Sequence, residues 1–174
     1  MTKEFIEFLK NLEDASMRAA SDDEIKKLKE LSDERLPDGY IDIFSKSVLE
    51  NEVEYEDFVF YGINRMYDEN IDYVPGANIF PLGLLTFAST FDGDAICIDL
   101  NDPALPVYQC SHELLCDETE ISYYKNGATD TLEFNYENAI KISPRLADSF
   151  SDFVSKLTDD SAETYGVIDM INMI

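Results

Sequence analysis

At 174 residues the chain is long enough to bury a substantial core, and a hydrophobic content of 45% with 12% aromatics excludes global disorder. Its 37 acidic side chains against 13 basic ones leave a net charge of −24, which repels nucleic acid and anionic lipid alike and directs attention to a basic protein partner. The opening MTKEFIEFLK has neither a basic leader region nor an unbroken apolar run, and no later stretch approaches the roughly 18 apolar residues of a membrane span, so a soluble, cytoplasmic chain is expected.

Phe5, Phe8, Leu9 and Leu12 recur at helical spacing and predict an amphipathic first helix. Ser21 with Glu24 has the spacing of a capping box and predicts a second, with Ile25, Leu28 and Leu31 as its apolar stripe. Leu36-Pro37 ends that helix and opens a short third one through Tyr40, Ile41 and Phe44. In ENEVEYED, from Glu50 to Asp57, acids alternate with Val53 and Tyr55, a pattern that suits a half-exposed strand or an extended loop equally. Phe58 to Ile63 reads as a buried strand, and Pro75-Gly76 as a break.

The centre of the chain is LLTFASTFDGDAICIDL, from Leu84 to Leu100, in which two strand-like runs meet at Asp92-Gly93. A two-residue type I′ turn there predicts a hairpin that opposes Ser89 to Ile96, Phe87 to Ile98 and Leu85 to Leu100 on a helix-covered face. Leu84, Thr86, Ala88, Ala95 and Cys97 then share the other face, under a thin cover or solvent. Val107 to Cys110 adds the next strand of a meander. Asn126-Gly127 marks a second hairpin, with Leu132, Phe134 and Tyr136 on one face of its second strand. Ser143 and Pro144 open a last long helix carrying Leu146, Phe150, Phe153, Val154 and Leu157, and Val167, Met170, Ile171 and Ile174 form a weaker stripe in the tail. The whole, residues 1–174, reads as one α+β domain: a mostly antiparallel sheet with helices at the N-terminus and C-terminus packed on it.

Chemistry-bearing constellations are sparse. His112 is the only histidine, and no Ser-His-Asp or Cys-His signature surrounds it. Cys97, Cys110, His112 and Cys116 do not follow the spacing of a zinc knuckle, so reduced, inert thiols and no metal or cofactor are expected. Asp92 and Asp94 suit a turn better than a cation site. The acids are concentrated: between Glu50 and Glu137 nineteen face only Arg65 and Lys125, whereas residues 1–36 are nearly balanced. The plainest reading of such an excess is solubility.

Leu36-Pro37 with Tyr40 and Phe44, GLLTFASTFDGDAICIDL from Gly83, Val107-Tyr108, His112, and Leu146-Ala147-Ser149-Phe150-Phe153-Leu157 together resemble the SUKH superfamily over roughly Ile25 to Leu157. The resemblance implies an α+β fold and, for many bacterial members, an immunity protein that neutralises a cognate toxin, often a nuclease or deaminase; other members are regulatory or scaffold proteins. The chain departs from the family pattern in its acidic stretch from Glu50 to Asp57, where a glycine-rich segment is common, and in the Asn126-Gly127 hairpin. On this reading the protein is no enzyme, and a basic toxin surface meets Glu50, Glu52, Glu54, Glu56, Asp57, Asp68, Glu69 and Asp72. The alternative is a non-enzymatic scaffold that binds a host protein through a less polar groove near Tyr61, Tyr67 and Tyr73.

Overall fold

A computed structural model describes residues 2–32, 35, 36, 41, 46–125 and 128–158. The expected third helix falls almost wholly outside these residues, as do the Asn126-Gly127 turn and the apolar tail. Helix α1 (Thr2–Asn11) buries Phe5, Ile6, Phe8 and Leu9 on one stripe. Strand β1 (Met17–Arg18) pairs with β2 (Val48–Leu49) beside it. Helix α2 (Asp22–Ser32) starts at the expected capping box: the Ser21 amide donates to Glu24 Oε2 at 2.8 Å and the Glu24 amide to Ser21 Oγ at 3.2 Å.

The acidic stretch resolves into a strand. β3 (Val53–Tyr55) turns back into β4 (Phe58–Phe60), pairing Val53 with Phe60 and Tyr55 with Phe58, and Glu56 takes a φ of +52° in the two-residue turn. The strand expected to run to Ile63 stops at Phe60, because Gly62 and Ile63 begin an unforeseen helix, α3 (Ile63–Ile71). Short helix α4 (Gly76–Ile79) and a 3₁₀ turn (Phe80–Leu82) lead into β5 (Leu84–Thr90), β6 (Ala95–Asp99) and β7 (Val107–Cys110). The second hairpin, β8 (Glu120–Lys125) and β9 (Ala128–Glu133), stands as its own two-stranded sheet. Tyr136 belongs to a further helix, α5 (Tyr136–Ile142), capped by the Asn135 side chain. Strand β10 (Arg145–Ala147) and helix α6 (Phe150–Leu157) close the described chain. The last helix therefore starts later than Ser143-Pro144 predicts: Ser149 caps it, Leu146 lies in β10, and Ser143 instead donates to the Ala139 carbonyl at the end of α5.

The main sheet has the order β10-β7-β6-β5-β4-β3, antiparallel throughout, so the expected meander is present with one strand added at its far edge. The register of its central hairpin differs from the expected one. Only Gly93 (φ +94°) takes positive φ in the turn, the Gly93 amide bonds the Thr90 carbonyl at 3.1 Å, and the Thr90 amide bonds the Asp94 carbonyl at 2.9 Å. This is a three-residue loop with a glycine bulge, and it opposes Ser89 to Ala95 and Ala88 to Ile96. A second step between Thr86 and Ala88 then leaves Leu85 opposite Ile98, with Phe87 as the extra residue.

That bulge decides the faces. Phe87, Ala88, Ile96 and Ile98 join a core with α1, α2, α3 and α6, and Ser89 does not. The Phe87 ring meets Phe150 at 5.5 Å and Phe153 at 5.7 Å, both edge-on, while Phe5 of α1 meets Phe150 at 5.1 Å. Each such pair adds about 0.5–1.5 kcal/mol beyond burial, which binds the two terminal helices to the same strand. The opposite face is neither thin nor wet: Leu84, Ala95, Cys97, Tyr108 and Cys110 form a second core closed by Ile79, Leu115, Ile121 and Ala139.

The turn geometry is testable by denaturation. Gly93→Ala should cost about 1 kcal/mol or more because its φ is positive, while Asp92→Ala should cost less than about 0.5 kcal/mol. Equal losses would instead indicate a two-residue turn. Phe87→Ala should cost about 3–5 kcal/mol by leaving a cavity between Phe150 and Phe153.

Candidate functional site

The predicted contact residues fall on two neighbouring elements. Glu54 is exposed on β3, the outermost strand of the sheet, and Glu52 and Glu56 are exposed immediately before and after it; Glu50 lies further upstream and accepts from Ser16 Oγ at 2.9 Å. Charges on an edge strand also prevent pairing with another chain, so these three have a structural use whether or not they bind anything. Asp57 is half-buried, its carbonyl taking the Phe91 amide at 3.3 Å and tying the β3–β4 turn to the central hairpin.

Asp68, Glu69 and Asp72 lie at the C-terminal end of α3. Negative charge there opposes the helix dipole, at a cost of about 0.3–1 kcal/mol per exposed group, so nothing about helix stability calls for it. Asp68 and Asp72 are exposed, but Glu69 is 8% exposed and ion-paired with Arg65, which removes it from the set of solvated contacts. Burial raises the Glu69 carboxyl above its usual range, against the pull of Arg65.

Arg65 was not singled out by the sequence, yet it sits at the centre of this face. Its guanidinium lies 4.9 Å from the Tyr73 ring centroid and 5.6 Å from that of Tyr61, with Glu69 on one side and Glu52 Oε1 3.3 Å from its Nε. Burial pushes the Tyr61 hydroxyl up to about 12, partly offset by a hydrogen bond with Ser89. Tyr61 and Tyr73 therefore do share a groove, as expected, but Tyr67 does not: its ring lies under Lys27 Nζ at 5.4 Å, against α2.

Two clefts adjoin at Arg65 and Glu52. One, about 340 Å³, runs between α3 and the β5–β6 turn and is lined by Val59, Tyr61, Glu69, Tyr73, Val74, Ser89, Thr90, Phe91 and Gly93. The other, about 430 Å³, is polar and bounded by Glu24, Glu50, Asn51 and Asn64. Tyr73, Val74 and Phe91 are 50%, 54% and 55% exposed, large apolar side chains left in solvent at the mouth of the first cleft. Sequence signals for Val74 and Phe91 existed only as an apolar residue beside each turn, before Pro75 and before Asp92-Gly93.

Glu24 holds the floor of the second cleft. It is 2% exposed, and Arg18 donates to both of its oxygens at 2.7 Å; Ser21 and Asn64 Nδ2 add further bonds. The Arg18 hydrogen bonds, helped by Ser21, bring its carboxyl down to about 2.

His112 has a partner after all. Its Nδ1 lies 2.8 Å from Asp94 Oδ1, its amide donates to the same oxygen at 3.0 Å, and Gln109 Nε2 donates to Asp94 Oδ2 at 2.8 Å. Asp94 is thus a buried clasp that pins the segment after β7 to the central turn, which explains its place beside Gly93. Cys97 and Cys110 are buried and Cys116 is exposed. Burial raises the Cys97 thiol, and its sulfur lies 3.4 Å from Thr86 Oγ1. Among the described residues no three or more His, Cys, Asp or Glu side chains are grouped to hold a metal ion, and no helix is long and apolar enough to cross a membrane.

Glu24 and Glu69 are both buried, with opposite consequences. Stabilisation by the ionised Glu24 is complete above the ordinary range near 4.5 and is lost as pH falls towards 2. Glu24→Gln should therefore cost on the order of 2–3 kcal/mol at pH 7 and progressively less on acidification below about pH 4.5. Ionised Glu69 is disfavoured by burial, so Glu69→Gln should leave stability at pH 7 equal or higher, a difference that fades as acid protonates the native residue. Urea midpoints across pH check both, and a larger loss for Glu69→Gln would contradict the assignment.

No curated sequence matches the chain significantly. The sequence profile of the SMI1 / KNR4 family (SUKH-1) matches residues 19–156, which run from just before α2 into the last turn of α6 and include both clefts. With that span covering well over half of its length, and with the antiparallel α+β fold in place, the chain belongs to the SMI1 / KNR4 family (SUKH-1) of the SUKH superfamily.

Proposed function

We propose that the protein is an immunity protein that binds and neutralises a basic toxin, a nuclease or deaminase, through the acidic face formed by β3 and the end of α3. SUKH-family domains are known generally as immunity proteins or as SMI1/KNR4-like regulatory domains, and are generally non-enzymatic, which supports a binding role. The observation that carries the reading is the coincidence on one face of solvated acids, Glu50, Glu52, Glu54, Glu56, Asp68 and Asp72, and half-buried Asp57, with exposed Tyr73, Val74 and Phe91. A protein that attracts phosphate carries a basic active surface, and covering that surface blocks it. The neutralised toxin would act on nucleic acid in the cytoplasm, where the immunity protein would meet it. No metal, cofactor, nucleic acid or membrane takes part.

A scaffold that binds a host protein through the groove is the second reading, favoured by Tyr61 and Tyr73 meeting around Arg65. The two differ in salt response, since opposite-charge steering weakens with ionic strength and apolar docking changes little.

Capture from the source cell, with identification of the bound protein, tests which partner is met: a toxin with a basic surface supports the proposal, and a partner without one contradicts it. In stopped-flow binding to that partner, association should exceed the unsteered range of about 10⁵–10⁶ M⁻¹s⁻¹ at low salt. Changing Glu54, Glu56 and Asp72 together to lysine should slow it at least about tenfold and flatten its salt dependence. An unchanged rate and slope in the folded variant would move the interface elsewhere.

A further inference from the structure

We infer that the cleft between α3 and the β5–β6 turn is the energetic centre of the protein-binding face, and that it receives an apolar side chain flanked by basic residues on an extended loop of the partner. The inference rests on the protein-binding reading of the acidic face but not on the partner's being a toxin.

Five large apolar side chains among the described residues are markedly exposed, and three of them, Tyr73, Val74 and Phe91, line this cleft. Interfaces concentrate their binding energy in such aromatic and aliphatic centres, surrounded by a polar rim that excludes water. The cleft has that arrangement. Val59, Tyr61, Tyr73, Val74 and Phe91 give it apolar walls, Glu52 and Glu69 are in the lining, and the exposed Asp72 and Asp92 are the chain neighbours of Tyr73 and Phe91.

The chemistry of the occupant follows from what is already filled. Arg65 lies against both the Tyr61 and Tyr73 rings, so the cation-binding aromatic position is taken from within, and the room that remains is lined by Val59, Val74 and Phe91 together with the polar side chains of Ser89 and Thr90. The rim is different. Arg65 is the only base between Glu50 and Lys125, and the C-terminal end of α3 adds its partial negative charge beside Asp72. An apolar residue between two cations matches both features. A purely cationic loop would match the rim and leave Val74 and Phe91 wet; a purely apolar one would leave the acids facing nothing.

The test is an NMR titration of the full chain with two peptides of equal charge, acetyl-Gly-Arg-Leu-Arg-Leu-Arg-Gly-amide and the same peptide with both leucines replaced by glycine, at physiological salt. The leucine peptide should bind at least tenfold more tightly and shift the amides of Tyr61, Tyr73, Val74, Phe91 and Gly93. Val74→Ser combined with Phe91→Ser, both exposed sites, should remove that advantage, whereas Tyr124→Ser, on the β8–β9 hairpin and 73% exposed, should leave it intact. Equal affinities, shifts confined to residues 50–57, a retained advantage in the double variant, or no saturable binding would each overturn the inference. Equal affinities centred on residues 50–57 would still leave the acidic face as a binding surface, so the two readings fail separately.

Discussion

The side-chain amide of Asn70 does the work of a missing strand. β4 pairs with β5 from Thr90 back to Ala88 and then departs, the Tyr61 amide reaching the Phe87 carbonyl as the last link. Beyond that point Asn70, 1% exposed, takes over: its Oδ1 accepts from the Thr86 amide at 2.9 Å, and its Nδ2 donates to the Thr86 carbonyl at 2.8 Å and the Met66 carbonyl at 2.7 Å. Each buried backbone group left without a partner would cost about 1–3 kcal/mol, so this one amide fixes where α3 lies against the sheet. Gly76 completes the junction, since a Cβ there would come 2.2 Å from the Glu69 carbonyl oxygen. Everything that forms the cleft is referred to that junction: Tyr61 enters α3, Arg65 and Glu69 lie on it, Tyr73 and Val74 leave it, and Ser89 to Gly93 follow from β5.

Against that fixed frame, the face carries features that lower local stability. Acids sit at the negative end of α3, Glu69 is buried with its carboxyl raised, and three large apolar side chains stand half out of the protein. Edge protection accounts for Glu54 on β3 and for Glu52 and Glu56 at its two ends, but it does not reach Asp68, Asp72 or Phe91. Glu24 shows what a stabilising buried acid looks like in the same molecule, with two oxygens saturated by Arg18, Ser21 and Asn64. The contrast separates an acid that holds the fold from the acids of the proposed binding face.

Much of this was legible from local chemistry. The capping box at Ser21 and Glu24, the stripe of α1, both hairpins and the meander are encoded by spacing and turn residues, and so appear in the structure. The register of the central hairpin was not legible, because Asp-Gly suits both a two-residue turn and the three-residue loop with Gly93 alone at positive φ, and a bulge at Phe87 leaves no mark in the alternation. α3 was hidden because Asn70, a buried polar residue, interrupts the stripe of Ile63 and Met66. Leu146 stands four residues before Phe150 and mimics a helical position while lying in β10. The acids of the proposed binding face are visible in the sequence as a charge run; the cluster of Tyr61, Tyr73 and Phe91 beside them is not, because only the Asn70 junction brings those side chains to one cleft.

Hydrogen–deuterium exchange of the protein alone and bound to its captured partner tests the assignment of the binding face most directly, since it reads every segment without altering any residue. The account predicts added protection in residues 50–61 and 69–93, with the β8–β9 hairpin unchanged. Protection confined to that hairpin and α5, with both predicted segments exchanging as in the free protein, would contradict it.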